Sequence, residues 1–193
     1  NLDIYQGDFL LITGPNGGGK TSLLRTILRL QSPTKGRISF FRQGEPVSSL
    51  DMGYLPQKNS IDSRFPITVE EVVASGLMGN TQKGNTKFDS KKEIDEMLDL
   101  MGITALRNKP IGVLSGGQLQ RSLFGRALIS KPEMLILDEP ASYIDRQFGN
   151  RMFEILRDLS SNGTTIMMVS HEIEPFITLS NRNLYINHIL GDR

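Results

Sequence analysis

Between an apolar run, DFLLIT, and a stretch of helical period, LLRTILRLQ, residues Gly14 to Ser22 read GPNGGGKTS. Gly14, Gly19, Lys20 and Thr21 satisfy the spacing G-x-x-x-x-G-K-[ST] in the strand, loop and helix order that such a loop requires. Glycines let the backbone take positive φ and turn its N–H groups inward on an anion, while the following helix presents its positive N-terminus. Pro15, Asn16, Gly17 and Gly18 complete the loop, and Ser22 follows in the helix. Lys20 would meet the β- and γ-phosphates of a nucleotide, and the Thr21 hydroxyl is a hard oxygen suited to Mg²⁺. The pattern alone also fits a Gly-rich turn; its context favours a phosphate cradle.

Two further groups of residues could share that chemistry. Leu114 to Gln118 reads LSGGQ and precedes a stretch in which Leu119, Leu123, Ala127 and Leu128 repeat with helical spacing. Ser115 is therefore a candidate N-cap, and with Gly116, Gly117 and Gln118 it makes a second anion-binding surface, or an ordinary cap. A nucleotide enclosed by Gly14 to Thr21 leaves this second donor set without a phosphate of its own, so it could face a neighbour's. Met134 to Pro140 reads MLILDEP, an apolar strand ending in two acids. In extended chain Asp138 and Glu139 point to opposite sides. Asp138 can hold Mg²⁺ through its water shell. Glu139, kept extended by Pro140, could accept a proton from water attacking the γ-phosphate or orient that water. The alternative is a solvated strand end.

These groups need elements to position them. Apolar runs at Phe9–Thr13, Arg37–Phe41, Leu135–Leu137, Thr165–Val169 and Leu184–Ile189 have strand length, and helical periods occupy Lys20–Gln31 and Ser90–Met101. Thr68 with Glu71 and Ser90 with Glu93 carry capping-box spacing, and Gly102 suits a helix end. Asn80–Thr86 is a polar, Gly-containing loop. Strands near both ends with a helical block between them predict an α/β domain whose parallel sheet is interrupted by a helical insertion. The 193 residues suffice for one domain, and 22 Lys plus Arg against 21 Asp plus Glu give no broad field for nucleic acid. With no Cys, disulfide scaffolds and thiolate metal sites are excluded. No apolar run approaches the roughly 20 residues that span a bilayer, and NLDIYQGDF lacks the regions of a signal peptide, so the chain reads as soluble.

GPNGGGKTS, YLPQ, LSGGQLQR, LILDEP and VSHE stand in the order, and near the spacings, of an ABC-type ATPase, the nucleotide-binding subunit of ABC transporters, and the resemblance runs over nearly the whole chain. It implies a P-loop NTPase core at residues 1–65 and 126–193 and a helical subdomain at 66–125 that carries the signature LSGGQ. By the same match Gln57 resembles the Q-loop glutamine, whose amide oxygen could touch Mg²⁺ or water. His171 resembles the switch histidine that contacts the γ-phosphate. Asp145 stands where the family has its D-loop aspartate, although SYID departs from the commoner small-Gly-Leu-Asp form. His188 matches no motif. The resemblance implies a head-to-tail dimer with two ATP molecules, each between one chain's phosphate loop and the other's Ser115–Gln118. It also implies an integral membrane permease docked near Gln57 and the helical insertion, indirectly a substrate-binding protein, and a place at the cytoplasmic face of the membrane. Similar proteins carry an adenine-stacking aromatic residue well ahead of the phosphate loop; Tyr5 is too close to Lys20 for that role.

Tyr54 to Gly79, YLPQKNSIDSRFPITVEEVVASGLMG, resembles the corresponding stretch in ATPases of zinc and manganese importers, where SID, FP and TVEEVV recur. With two His separated by sixteen residues and no Cys, the chain has no evident transition-metal site of its own. The implied function is Mg²⁺-dependent ATP hydrolysis that energises divalent metal import. Importers of iron chelates, and soluble relatives acting on ribosomes or DNA, are the competing readings; the latter usually pair two ATPase domains or insert a long coiled coil, which this chain does not show.

Overall fold

The computed structural model describes residues 1–57, 65–78, 87–142, 144–171, 174 and 176–187. Five strands, β1 (Phe9–Thr13), β4 (Met52–Leu55), β5 (Met134–Asp138), β6 (Thr165–Val169) and β7 (Arg182–Tyr185), form a parallel sheet in the order β4-β5-β6-β1-β7. A separate antiparallel pair, β2 (Phe40–Arg42) and β3 (Glu45–Val47), folds back on itself. The helices are α1 (Lys20–Ile27), α2 (Val69–Ser75), α3 (Lys87–Leu100), α4 (Gly116–Leu128) and α5 (Arg146–Ser161). Of these, α2, α3 and α4 all fall between β4 and β5 in the chain.

Period-2 alternation divides the core across the sheet. Phe9, Leu11, Leu135, Leu137, Ile166 and Met168 point to the side packed by α2 to α5. Leu10, Ile12, Met134, Ile136, Met167 and Val169 point to the side of Leu24 and Ile27 on α1. All residues of β5 and β6 are buried, as expected for a parallel sheet covered on both faces. On α5, Phe148, Met152 and Leu156 are the buried stripe at a spacing of four. On α4, Leu119, Leu123, Ala127 and Leu128 are buried, as their spacing predicts.

The caps are partly as the sequence indicates. Thr68 and Glu71 form the capping box of α2, with Thr68 N donating to Glu71 Oε2 at 2.8 Å and Glu71 N to Thr68 Oγ1 at 3.3 Å. Gly102 follows α3 at φ +66°, where Gly102 N donates to Asp99 O and Ile103 N to Leu98 O. Ser90, in contrast, lies inside α3, which begins at Lys87, so it does not cap it. The run Arg37–Phe41 becomes a strand only from Phe40. Gln43 and Gly44, at φ 53° and 84°, make the tight turn that returns it antiparallel onto Glu45–Val47 rather than into the main sheet. β4 is the strand that the apolar runs miss: MGYL is short and holds a glycine. Helix α1 stops at Ile27, ahead of Arg29 at φ 57°. Loop 80–86, His188 and Ile189 lie outside the described residues.

Candidate nucleotide site

The loop after β1 is shaped by close approach. Gly14 has φ +141°, and a Cβ there would sit 1.9 Å from the Ile186 carbonyl oxygen, so a side chain cannot fit beside the exit of β7. Gly19, at φ 97°, is the N-cap residue of α1, and Gly18 N donates to Pro15 O at 3.1 Å. Lys20 is 7% exposed, and its Nζ donates to the carbonyls of Gly14 and Pro15 at 2.8 and 2.9 Å. An ammonium held at the start of a helix adds to the positive end of the helix dipole.

On the neighbouring helical position, Thr21 Oγ1 donates to Asp138 Oδ2 at 2.9 Å. Asp138 ends β5 on the same face as Met134 and Ile136, toward α1, and is 1% exposed. Burial pushes its pKa up, against the Thr21 hydroxyl and the charges of Lys20 and Arg25. A hydroxyl and a carboxylate this close are hard oxygen donors of the kind Mg²⁺ takes, so the residues fit that ion.

Glu139 departs from expectation. It is not extended: its φ is +54°. Glu139 N donates to Val169 O at 2.9 Å, continuing the ladder, while its carbonyl accepts from Ser142 N at 3.3 Å, so the chain turns out of the sheet at this residue. That turn brings its carboxylate into the same cleft as Asp138 instead of the opposite side. There it meets His171, whose Nε2 lies 3.3 Å from Oε1 and whose backbone N–H donates to Oε2 at 3.4 Å. Burial raises the Glu139 pKa; the nearby His171 opposes this, Asp138 adds to it and Lys20 opposes it.

Residues Asn16–Ser22, Gln57, Asp138, Glu139, Val169 and His171 line a single cleft of about 370 Å³ at the carboxyl ends of the strands. Open α/β sheets place ligands at that end. The sequence reading lacks Val169, the last residue of β6, which only the sheet order brings beside β5. Ser115, Gly116, Gly117, Gln118 and Asp145 do not line this cleft. Ser115 is the N-cap of α4 in a capping box: Ser115 N donates to Gln118 Oε1 at 2.9 Å and Gln118 N to Ser115 Oγ at 3.3 Å. Asp145 is the N-cap of α5, accepting from Phe148 N at 3.0 Å through Oδ1, and pairs with Arg121 through Oδ2. That backbone N–H, with the Arg121 guanidinium, holds its carboxyl below the usual range.

A Gly-rich loop from β1 into α1, an acid at the end of the neighbouring-but-one strand and a parallel sheet between helices define a P-loop nucleotide-binding α/β protein. The chain belongs to the ABC transporter family, whose model matches residues 1–142, and is an ATP-binding, ATP-hydrolysing cassette. It is 40% identical over 194 residues to the protein named "Probable metal transport system ATP-binding protein" of Chlamydia pneumoniae, covering 98% of this chain and 78% of that one. To the zinc uptake system ATP-binding protein ZurA of Listeria monocytogenes it is 36% identical over 198 residues, covering 99% of this chain and 74% of that one. A solved dimeric ATP-binding cassette in a post-hydrolysis state, bound to ADP and Pi, superimposes with a TM-score of 0.82 at 26% identity, over 97% of this chain and 84% of that one.

Proposed function

We propose that this chain energises import of a divalent metal cation, zinc or manganese, as the peripheral ATPase of a permease at the cytoplasmic face of the membrane. The observation that carries the chemistry is the single cleft that gathers the phosphate loop with Gln57, Asp138, Glu139 and His171. Residues 14–22 cradle the phosphates of ATP, with Lys20 at the terminal ones. Thr21 and Asp138 would hold Mg²⁺, with Gln57 beside them; when bound, the ion would offset charge on the phosphate oxygens. Glu139 accepts the proton of the attacking water or orients it, and its raised pKa makes it a stronger base than an exposed carboxylate. His171 holds the Glu139 carboxylate on one side and faces the γ-phosphate on the other. Ser115–Gln118 close the site of a second copy or close paralogue arranged head to tail, with Asp145 near that junction. The unit 66–125 meets the permease, residues 1–65 and 126–193 form the ATPase core, and a substrate-binding protein acts indirectly through the permease. Among the described residues no helix is long and apolar enough to cross a membrane; translocation is assigned to a separate permease as part of this reading. The metal cargo rests on relatives named for metal and zinc transport.

The test is to recover the tagged protein from gently solubilised native membranes, reconstitute whatever comes with it in liposomes, and follow ATP-driven uptake of zinc, manganese and a ferric chelate. Zinc or manganese uptake that Glu139→Gln abolishes is expected. Uptake of the chelate alone would replace the cargo, and a ribosomal or DNA-repair partner with no polytopic subunit would overturn transport.

A further inference from the structure

Two consecutive residues of α4 hold the chain that follows Glu139, one at the residue next to it and the other at the start of α5. Gln120, 1% exposed, donates from Nε2 to the Pro140 carbonyl at 3.2 Å. Arg121 pairs with Asp145, and its guanidinium lies over the Phe148 ring at 4.5 Å from the centroid. Asp145 in turn caps α5, so this aspartate fastens α5 to α4. Glu139 sits at the head of the turn at φ +54°, a backbone state that a non-glycine residue keeps only where its surroundings impose it. Its own N–H is fixed by Val169 O at 2.9 Å, and the carbonyl of the very next residue is the one that Gln120 holds. The backbone that carries the Glu139 carboxylate is therefore held from two directions, from β6 within the sheet and from α4 at the next residue, while His171 meets the carboxylate itself.

We infer that Gln120 and Arg121 are positioning residues for Glu139, acting through Pro140 and Asp145. This deepens the reading of Glu139 as base or water-orienting residue and rests on it. It also gives α4 a second task. The helix that begins with Ser115–Gln118 is joined, one turn further on, to the segment that follows the acid of this chain's own cleft. Arginine suits the position because one planar cation can pair with a carboxylate while its face lies on an aromatic ring, which an ammonium does less well.

Steady-state hydrolysis by the full chain tests this, with Arg121→Ala, Gln120→Met, Glu139→Gln and the double variant Arg121→Ala/Glu139→Gln, thermal melts confirming that each is folded. Arg121→Ala is expected to lower kcat about tenfold or more with KM for ATP within about twofold, because the cleft residues are untouched and only Glu139 is misaimed. In the Glu139→Gln background, adding Arg121→Ala should change the residual rate by less than about twofold, since the group it positions is gone. Wild-type kcat in folded Arg121→Ala would overturn the inference. So would the same fractional loss in the presence and absence of Glu139, which would mark an independent effect. Should Arg121→Ala not fold, Gln120→Met, which keeps the volume and removes the donor, carries the same expectations. Wild-type turnover in Glu139→Gln is a different failure, because it removes the role of Glu139 itself.

Discussion

Glu133 shows how a single carboxylate can close the entrance to β5. It accepts from Arg42 Nε and Nη2 at 2.8 and 2.6 Å and from Asp51 N at 3.0 Å, so that it joins β2, the start of β4 and the start of β5. The Arg42 hydrogen bonds foremost, and then the Asp51 N–H, hold its pKa below the ordinary carboxylate value of 4.5. A depressed carboxylate stabilises the fold above its unfolded pKa, and that stabilisation is lost as pH falls through the lower folded value. Glu133→Gln should thus lower stability at neutral pH. With the carboxylate side chain 39% exposed and screened by solvent, the loss should stay below about 1 kcal/mol. Urea melts of both proteins at pH 7, and then stepwise below 4.5, should show the difference closing. A difference that persists in acid would mean that the amide disrupts packing instead. At this same scale the types and spacings of Lys20, Thr21 and Asp138 were legible, because strand alternation and the loop pattern fix where they point. The aim of Glu139 was not legible. Pro140 disfavours helix before it, and nothing in one sequence announces that a ladder bond to Val169 and a turn after it force a left-handed residue there.

Among the elements, α4 is the one against which the others are fitted. Its backbone lies so near β4 and α2 that a Cβ on Gly53 would fall 2.0 Å from Ala127 O, and one on Gly76 2.1 Å from Arg126 O. Arg126 adds a hydrogen bond from Nη2 to Tyr54 O at 3.1 Å, tying the helix to the strand that leads to Gln57. Backbone-to-backbone approach of this kind leaves no flexible side chain to move aside. Gly76→Ala should therefore destabilise the fold by about 1–3 kcal/mol or more, the usual range for overpacking, despite alanine's better helix propensity. Thermal unfolding of Gly76→Ala beside Gly149→Ala, where a Cβ meets nothing within 4 Å, would separate crowding from propensity: a loss is expected at the first position only. Equal melting of the two would show that α2 can retreat from α4. The buried stripe of α4 was legible from its period, since Leu119, Leu123, Ala127 and Leu128 recur on one face. The closeness was not. A strand of four residues that includes Gly53 gives no apolar run by which its sequence could announce it.

At the scale of the whole molecule, the cleft and the α4 start are separate features of one chain: Ser115, Gly116, Gly117 and Gln118 are absent from the cleft lining that Lys20 and Asp138 share. The capping box satisfies two backbone donors there, Ser115 N and Gln118 N, through each other's side chains. On the proposed head-to-tail dimer, each complete site needs two chains, so hydrolysis per chain should rise with protein concentration and level off as dimers fill. Ser115→Arg places a long cation at the N-terminus of α4, where a helix dipole disfavours positive charge and where a second chain's nucleotide would have to approach. It should abolish ATP-dependent dimerisation and lower turnover, yet leave ATP binding by the monomer within about threefold, because no cleft residue changes. Sedimentation of wild type and variant with and without ATP, alongside the concentration dependence of hydrolysis, decides the matter. A specific activity that stays flat over concentrations where sedimentation finds only monomer would place the complete site within one chain, and Ser115–Gln118 would then be no more than the cap of α4.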